Sequence, residues 1–407
     1  MKKFFSFQLQ VTSDKLQVTS NKVKSFLPFY LFTFLPFSFL LFSLLPLSLF
    51  AQKSNQKIET QTEVFTKNFK VNAKDILVVN TNYTTITFQE WDKNEMDFTT
   101  TIKLRKGTEK DMERVLNGLS FTNQQSGKRV SYYLSLTYSN DKKFCNTMND
   151  LEITLLVKIP KDIFIELTSR YGNVEMENVH NDFNANITYG NLDAENLFGN
   201  NNIEIKYGNI NVEKLSGNKN IINLKYGNFM IRQAPHLSLN INYSKGELKE
   251  AGTLKLDSKY STIRMNSVKN LELTSGYDKI TINNNVDKIS GEMRYGTVSI
   301  NMLKTSCIFT NFSYSKIAID EVQPSFTNIS FEAAYSNIKL NIPQDQSFLF
   351  DYSGRYTDFK QKNIRLNDAA FEAGSNSVKM SGTYGKHLAT EKRVTIDAKY
   401  GSLSLFE

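Results

Sequence analysis

Cysteine is almost missing from this chain: Cys145 and Cys307 are the two in 407 residues. Two thiols make no disulfide framework. Histidine is nearly as scarce. His180, His236 and His387 stand far apart, at unlike positions of the repeat described below. They cannot converge into a zinc site or a nucleophile with its base, and read as surface or corner residues. No glycine-rich phosphate loop opens a helix, and no pair of carboxylates converges as hydrolysis of a glycoside requires. Net charge is also small. Of the formal +8, residues 1–51 supply +4, and the rest holds 44 basic against 40 acidic residues. Without a basic cluster or a base-reading motif, nucleic acid is excluded as a partner. No helical period separates the copies of the repeat between residues 182 and 301. The sequence therefore implies no cofactor, no metal and no catalytic residues.

The one long apolar run is at the start. Lys22 and Lys24 precede an uncharged stretch from Ser25 to Gln52, with a small residue at Ala51. A positive flank, an apolar run and a small residue fit a signal peptide cleaved after Ala51, and hence export to the periplasm, the outer surface or the medium. The run is also long enough to span a bilayer, although Pro28, Pro36 and Pro46 would interrupt a helix there. Residues 1–51 are thus a signal peptide or an N-terminal anchor, the only expected contact with a membrane, and residues 52–75 a lead-in.

What the chain does have is a period. "YGNVEMENV", "YGNLDAENL", "YGNINVEKL" and "YGNFMIRQA" begin at Tyr171, Tyr189, Tyr207 and Tyr226. With each tyrosine as position zero, apolar residues fall at −6, −4, −2, +3, +5 and +8. The same template fits at Tyr83, Tyr243, Tyr260, Tyr277, Tyr295, Tyr314, Tyr335, Tyr356 and Tyr400, and poorly at Tyr384. From Tyr171 to Tyr314 the spacings run from 17 to 19 residues.

Alternation from −6 to 0 marks a strand with one buried face, and the parity flips before +3. A bend must intervene. Gly172, Asn173, Gly190, Asn191, Gly208, Asn209, Gly227 and Asn228 occupy it, and glycine and asparagine tolerate positive φ. A second bend follows +9, where Gly199 and Gly217 lie. Short strands, tight corners and a fixed period predict an all-β fold: a parallel β-solenoid, of the right-handed β-helix kind, with about 14 short coils. At one strand spacing per coil the rod is on the order of 65 Å long. The tyrosines form a ladder. Extending the alternation of −4 and −2 to position zero turns their rings inward, to close the core at the corner, rather than outward as a stacking platform for sugars.

The solenoid domain is placed at 76–407. Between residues 92 and 164 the period breaks into strand-like segments and one short helix, opened by Thr108 and closed near Gly118. This reads as an insertion capping the N-terminal end. Cys145 then lies in the cap and Cys307 some seven coils away, beyond the roughly 6 Å reach of a disulfide. The last copy stops at Glu407, leaving an open edge that either the ragged Tyr384 coil and nearby charges blunt or a second molecule covers.

The outward columns carry charge that could meet a ligand. Glu177, Glu195 and Glu213 recur at +6, and Glu175 and Asp193 at +4, but the Asp-Gly-rich calcium repeat is missing. Lys206, Lys225, Lys259, Arg294 and Lys399 recur at −1, a file suited to acidic polysaccharide or phosphorylated head groups and equally to plain solubility. The segments "VVNTNYTTITFQEWDKNEMDFTTTI" and "VKIPKDIFIELTSRYGNVEMENV", with the repeats, resemble a family of exported bacterial putative adhesins with repeated G-[ND]-[IVL]-x-[IVL] units. The resemblance spans about residues 75–407 and implies a β-helical envelope protein, with no catalytic residue to carry over. The expectation is a non-enzymatic, adhesin-like rod that holds an extended glycan or a surface protein. Alternatives are a polysaccharide lyase or hydrolase on the same fold, and an anchored envelope-sensing accessory.

Overall fold

A computed structural model describes residues 58–137, 147–343, 346–362, 366–385 and 391–406. The expected signal peptide or anchor at 1–51, Cys145 and His387 lie outside the described residues. The described chain is one 25-stranded, mostly parallel sheet wound into a solenoid. Among the described residues no helix is long and apolar enough to cross a membrane.

The N-terminal part comprises β1 (Glu59–Lys70), β2 (Ile76–Asn82), β3 (Thr85–Glu90), β4 (Glu95–Gly107), α1 (Glu109–Asn117), β5 (Leu119–Ser126), β6 (Arg129–Leu136) and β7 (Leu151–Ile159). β2 and β3 are the two sides of the Tyr83 coil. β6 continues one side in parallel and β5 extends it antiparallel, while β7, β4 and β1 extend the other. The short helix begins where a capping box predicts. Thr108 accepts from the Asp111 amide, and the Asp111 carboxylate accepts from the Thr108 amide. Met112 and Val115 are its buried face, and Gly118 caps its C-terminus. Phe98, Tyr132, Phe121 and Phe65 then plug the end of the core, with ring centroids 5.4–6.1 Å apart.

The repeats follow as pairs of short strands: β8 (Phe164–Arg170), β9 (Val174–Val179), β10 (Phe183–Thr188), β11 (Leu192–Leu197), β12 (Asn201–Lys206), β13 (Ile210–Leu215) and β14 (Asn220–Lys225). In β15 (Asn228–Asn242), β16 (Lys245–Lys259), β17 (Thr262–Gly276), β18 (Lys279–Arg294) and β19 (Thr297–Ser313), one strand runs on through the second bend. β20 (Lys316–Val322) and β21 (Asn328–Asn341) complete the series. Parallel pairing stacks equal template positions. Ile187, Ile205, Leu224 and Ile241 are in register, and all four are fully buried. Leu192, Ile210 and Phe229 stack likewise on the facing side. Each such side chain contributes roughly 1.5–3 kcal/mol by burial, repeated in every coil. Cys307 is a free, buried thiol in this core.

The far end departs from sequence order. β25 (Arg393–Phe406) does not follow β22 (Phe348–Gln361) in the stack. It inserts between β21 and β22, parallel to both. The outer edge of β22 is covered over residues 348–355 by β24 (Ser377–Tyr384), itself paired with β23 (Leu366–Ala373). The Tyr400 coil is therefore not an open end. An antiparallel hairpin of the same chain covers its neighbour, and Phe348, Phe350, Tyr352 and Tyr384 plug the core there.

Candidate binding surface at the tyrosine corner

Thirteen tyrosines share one backbone state. Tyr83, Tyr171, Tyr189, Tyr207, Tyr226, Tyr243, Tyr260, Tyr277, Tyr295, Tyr314, Tyr335, Tyr356 and Tyr400 all have φ between 50° and 59°. A left-handed residue reverses the chain's inside and outside at once. Extrapolating the −4, −2 alternation through it fails, and the expectation of inward rings is wrong. The residue at +1 points inward, and the tyrosine points out. Apart from the half-buried Tyr83, the rings are 42–52% exposed. They stack face on face in one unbroken file, with centroids 4.7–5.1 Å apart and planes within 2–11°. The file crosses the out-of-order strand, running Tyr335, Tyr400, Tyr356. A left-handed non-glycine residue costs about 1–2 kcal/mol. An aromatic pair returns about 0.5–1.5 kcal/mol, and the file holds about one pair per ring, so stacking offsets part of the strain.

Tyr384 does not belong to the file. It lies on β24 in extended backbone, fully buried, and donates to Gln361 Oε1 at 2.7 Å. Burial raises its pKa from 10.0 to about 12.

Gly172, Gly190, Gly208 and Gly227 are at the corner for a different reason from the one expected. Positive φ belongs to the preceding tyrosine, and none of the four adopts it. What they lack is room. A Cβ on Gly190 or Gly208 would stand 2.0 or 1.8 Å from the carbonyl oxygen of the glycine one coil back. The neighbouring asparagines complete this corner. Asn191, Asn209 and Asn228 each donate the backbone amide and Nδ2 to Oδ1 of Asn173, Asn191 and Asn209, at 2.9–3.1 Å.

A second corner type takes over from Tyr243. Lys245, Thr262, Lys279, Thr297, Lys316 and Asn337 donate their amides to the +1 carbonyl one coil back, at 2.9–3.1 Å. Serine fits here: Ser244, Ser261, Ser315 and Ser336 donate their hydroxyls to the −1 carbonyl of their own coil at 2.7–2.8 Å. At Asp278 a carboxylate sits buried at +1. It accepts from the Ser258 and Ser275 hydroxyls and the Ser261 and Gly276 amides at 2.6–3.0 Å. These residues were legible in the weaker copies, where Ser or Asp replaces glycine, but the glycine-centred template passed over them.

The corner is basic. At −1 stand Arg170, Lys206, Lys225, Lys259, Arg294, Lys399 and Arg355, and at +2 Lys245, Lys279 and Lys316. Asp358 is the one acid in these two columns. Among the described residues only Lys206 of the ten cations is ion-paired, to Glu204. The two columns differ from the acidic columns and the histidines. Glu213 is paired with Arg232, and Asp193 accepts from Asn211. Glu177 and Glu195 are exposed. His180 binds Glu90 through Nδ1 at 2.6 Å and stacks on Phe198, while His236 is exposed on β15. Among the described residues no group of three or more His, Cys, Asp or Glu is placed to hold a metal.

No family model matches the chain, and no curated protein does. Solved structures do show likeness. One is a putative cell adhesion protein from Clostridium sporogenes, 10% identical, covering 85% of this chain and 99% of its own, at a TM-score of 0.18. Another is a putative adhesin from Bacteroides fragilis, 15% identical over 63% of this chain and 96% of its own, TM-score 0.28. A third is a putative lipid binding protein from Parabacteroides distasonis, 12% identical over 68% and 93%, TM-score 0.26.

Proposed function

We propose that the protein is an exported, non-enzymatic, adhesin-like rod of the bacterial envelope, which holds an extended partner along its tyrosine corner. The observation that carries this is the file itself. Twelve half-exposed rings in a file on the order of 60 Å long, at one strand spacing, match a partner that is long and repetitive rather than small. Strain at each ring is held in place by its neighbours, so the surface is rigid and loses little entropy on binding.

A glycan array probed with the purified chain tests this, beside the variant Tyr226→Asn, Tyr243→Asn, Tyr260→Asn. Asparagine accepts positive φ, so the variant keeps the corner and loses the rings. Ligands held by the parent and lost by the variant are expected. Retention by the variant would remove the corner from the reading, and shortened glycans in the eluate would replace binding by cleavage. An intact N-terminus in the inner-membrane fraction would count against release from the membrane.

A further inference from the structure

We infer that the corner selects anions, and that its ligand is an acidic polysaccharide chain lying parallel to the file. The inference rests on the binding role proposed above and goes on to the chemistry of the partner. Three observations converge on it.

The first is how the rings are spent. A sugar or a cation binds an aromatic ring through its face. Within the file both faces of every interior ring are covered by neighbours at 4.7–5.1 Å. What reaches solvent is the ring rim and the phenol hydroxyl. The rim is the positive part of the aromatic quadrupole, and the hydroxyl can donate. Stacking thus changes a surface that would suit neutral sugars into one that suits negative groups.

The second is charge. Ten cations flank the file in its two adjacent columns, against the single Asp358. They come from ten of the thirteen coils, leaving out Tyr83, Tyr189 and Tyr335. Nine have no ion-pair partner among the described residues. The third is confinement. Two residues before Lys206, Lys259, Arg294 and Lys399, the acids Glu204, Asp257, Glu292 and Asp397 point outward on the strand face. An anionic chain is favoured on the corner line and opposed across the sheet, which sets it parallel to the rod axis. A flexible chain bearing one charge per sugar can engage many cations in turn, and its affinity should rise with length up to the span of the file.

The test measures binding of the purified full chain to linear polygalacturonate, to neutral dextran of matched length and to oligothymidylate. Three proteins are compared: the parent, the variant Lys225→Gln, Lys259→Gln, Arg294→Gln, and the control Lys255→Gln, which removes a cation from the sheet face. Each exposed charge contact strengthens binding by a small factor and three such factors multiply, so the triple variant should bind polygalacturonate about tenfold more weakly, with the control unchanged. Affinity should fall as salt rises. Dextran bound as tightly as polygalacturonate would overturn anion selection while leaving the tyrosine corner as a contact surface. Oligothymidylate bound as tightly, with the same loss in the triple variant, would overturn the polysaccharide in favour of nucleic acid. An equal loss in the control, or no polygalacturonate binding at all, would also overturn the inference.

Discussion

Two glycines at the same template position should respond unequally to substitution. At Gly208 an added Cβ meets the Gly190 carbonyl oxygen at 1.8 Å and its carbon at 2.9 Å, all backbone. That peptide cannot turn away without disturbing the asparagine file, where Asn209 and Asn228 donate their amides at 2.9 Å. Overpacking costs about 1–3 kcal/mol, and weakening one or two hydrogen bonds adds about 0.5–1.5 kcal/mol each. Gly208→Ala should therefore destabilise by about 2–4 kcal/mol. At Gly296, in the second corner type, the nearest atoms are Met293 Cε at 2.6 Å and the Asp278 carbonyl oxygen at 3.0 Å. A methionine end can swing aside. The gain of about 0.4–1 kcal/mol from a stiffer unfolded chain then nearly cancels the cost, and Gly296→Ala should stay within about 1 kcal/mol of the parent. Urea denaturation of both variants measures the difference, and hydrogen exchange at the two corners localises it. Equal losses at the two sites would refute the distinction between corner types.

Tyr243→Phe should be nearly neutral, since the hydroxyl has no partner among the described residues, whereas Tyr243→Val loses two stacks and puts a β-branched residue at φ 50°. A loss of about 2–5 kcal/mol is expected for Val by thermal unfolding. Cys307 is fully buried, and burial pushes its thiol well above the usual range. It should resist iodoacetamide at pH 8 in the native rod and react on unfolding, which mass spectrometry reads directly. Tyr384 has a folded pKa raised to about 12 from 10.0. Its contribution is whole below pH 10 and is lost as pH rises toward 12. Tyr384→Phe should flatten the loss of stability between pH 10 and 12.

Much of the fold was legible because a solenoid writes its geometry as a period. Ile203, Ile205, Ile210, Val212 and Leu215 name their own burial. The direction of the rings was not legible. Alternation is a property of extended backbone, and it cannot be carried through a residue whose φ changes sign. The stacking order at the far end was hidden for another reason. The template finds a coil at Tyr400 but holds no information on which coils it touches, and β-pairing over 65 residues leaves no local mark. Tyr384 misled because Tyr-Gly recurs there: Gly385 has φ 86°, but the tyrosine before it continues an antiparallel strand.

The intercalated β25 also bears on how the rod is assembled. In the middle of the stack each coil finds its neighbour 17–19 residues away. At the far end β21 must wait for residues 65 positions on, and β22 has no parallel partner until the same segment arrives. The Tyr83 coil likewise meets β8 and β9 only after an excursion of 88 residues. Closing a longer loop costs more entropy, and distant contacts form later. Folding should start among the central coils and spread outward, with both caps set last, so a chain released before β25 emerges would hold a finished middle and an unfinished far end.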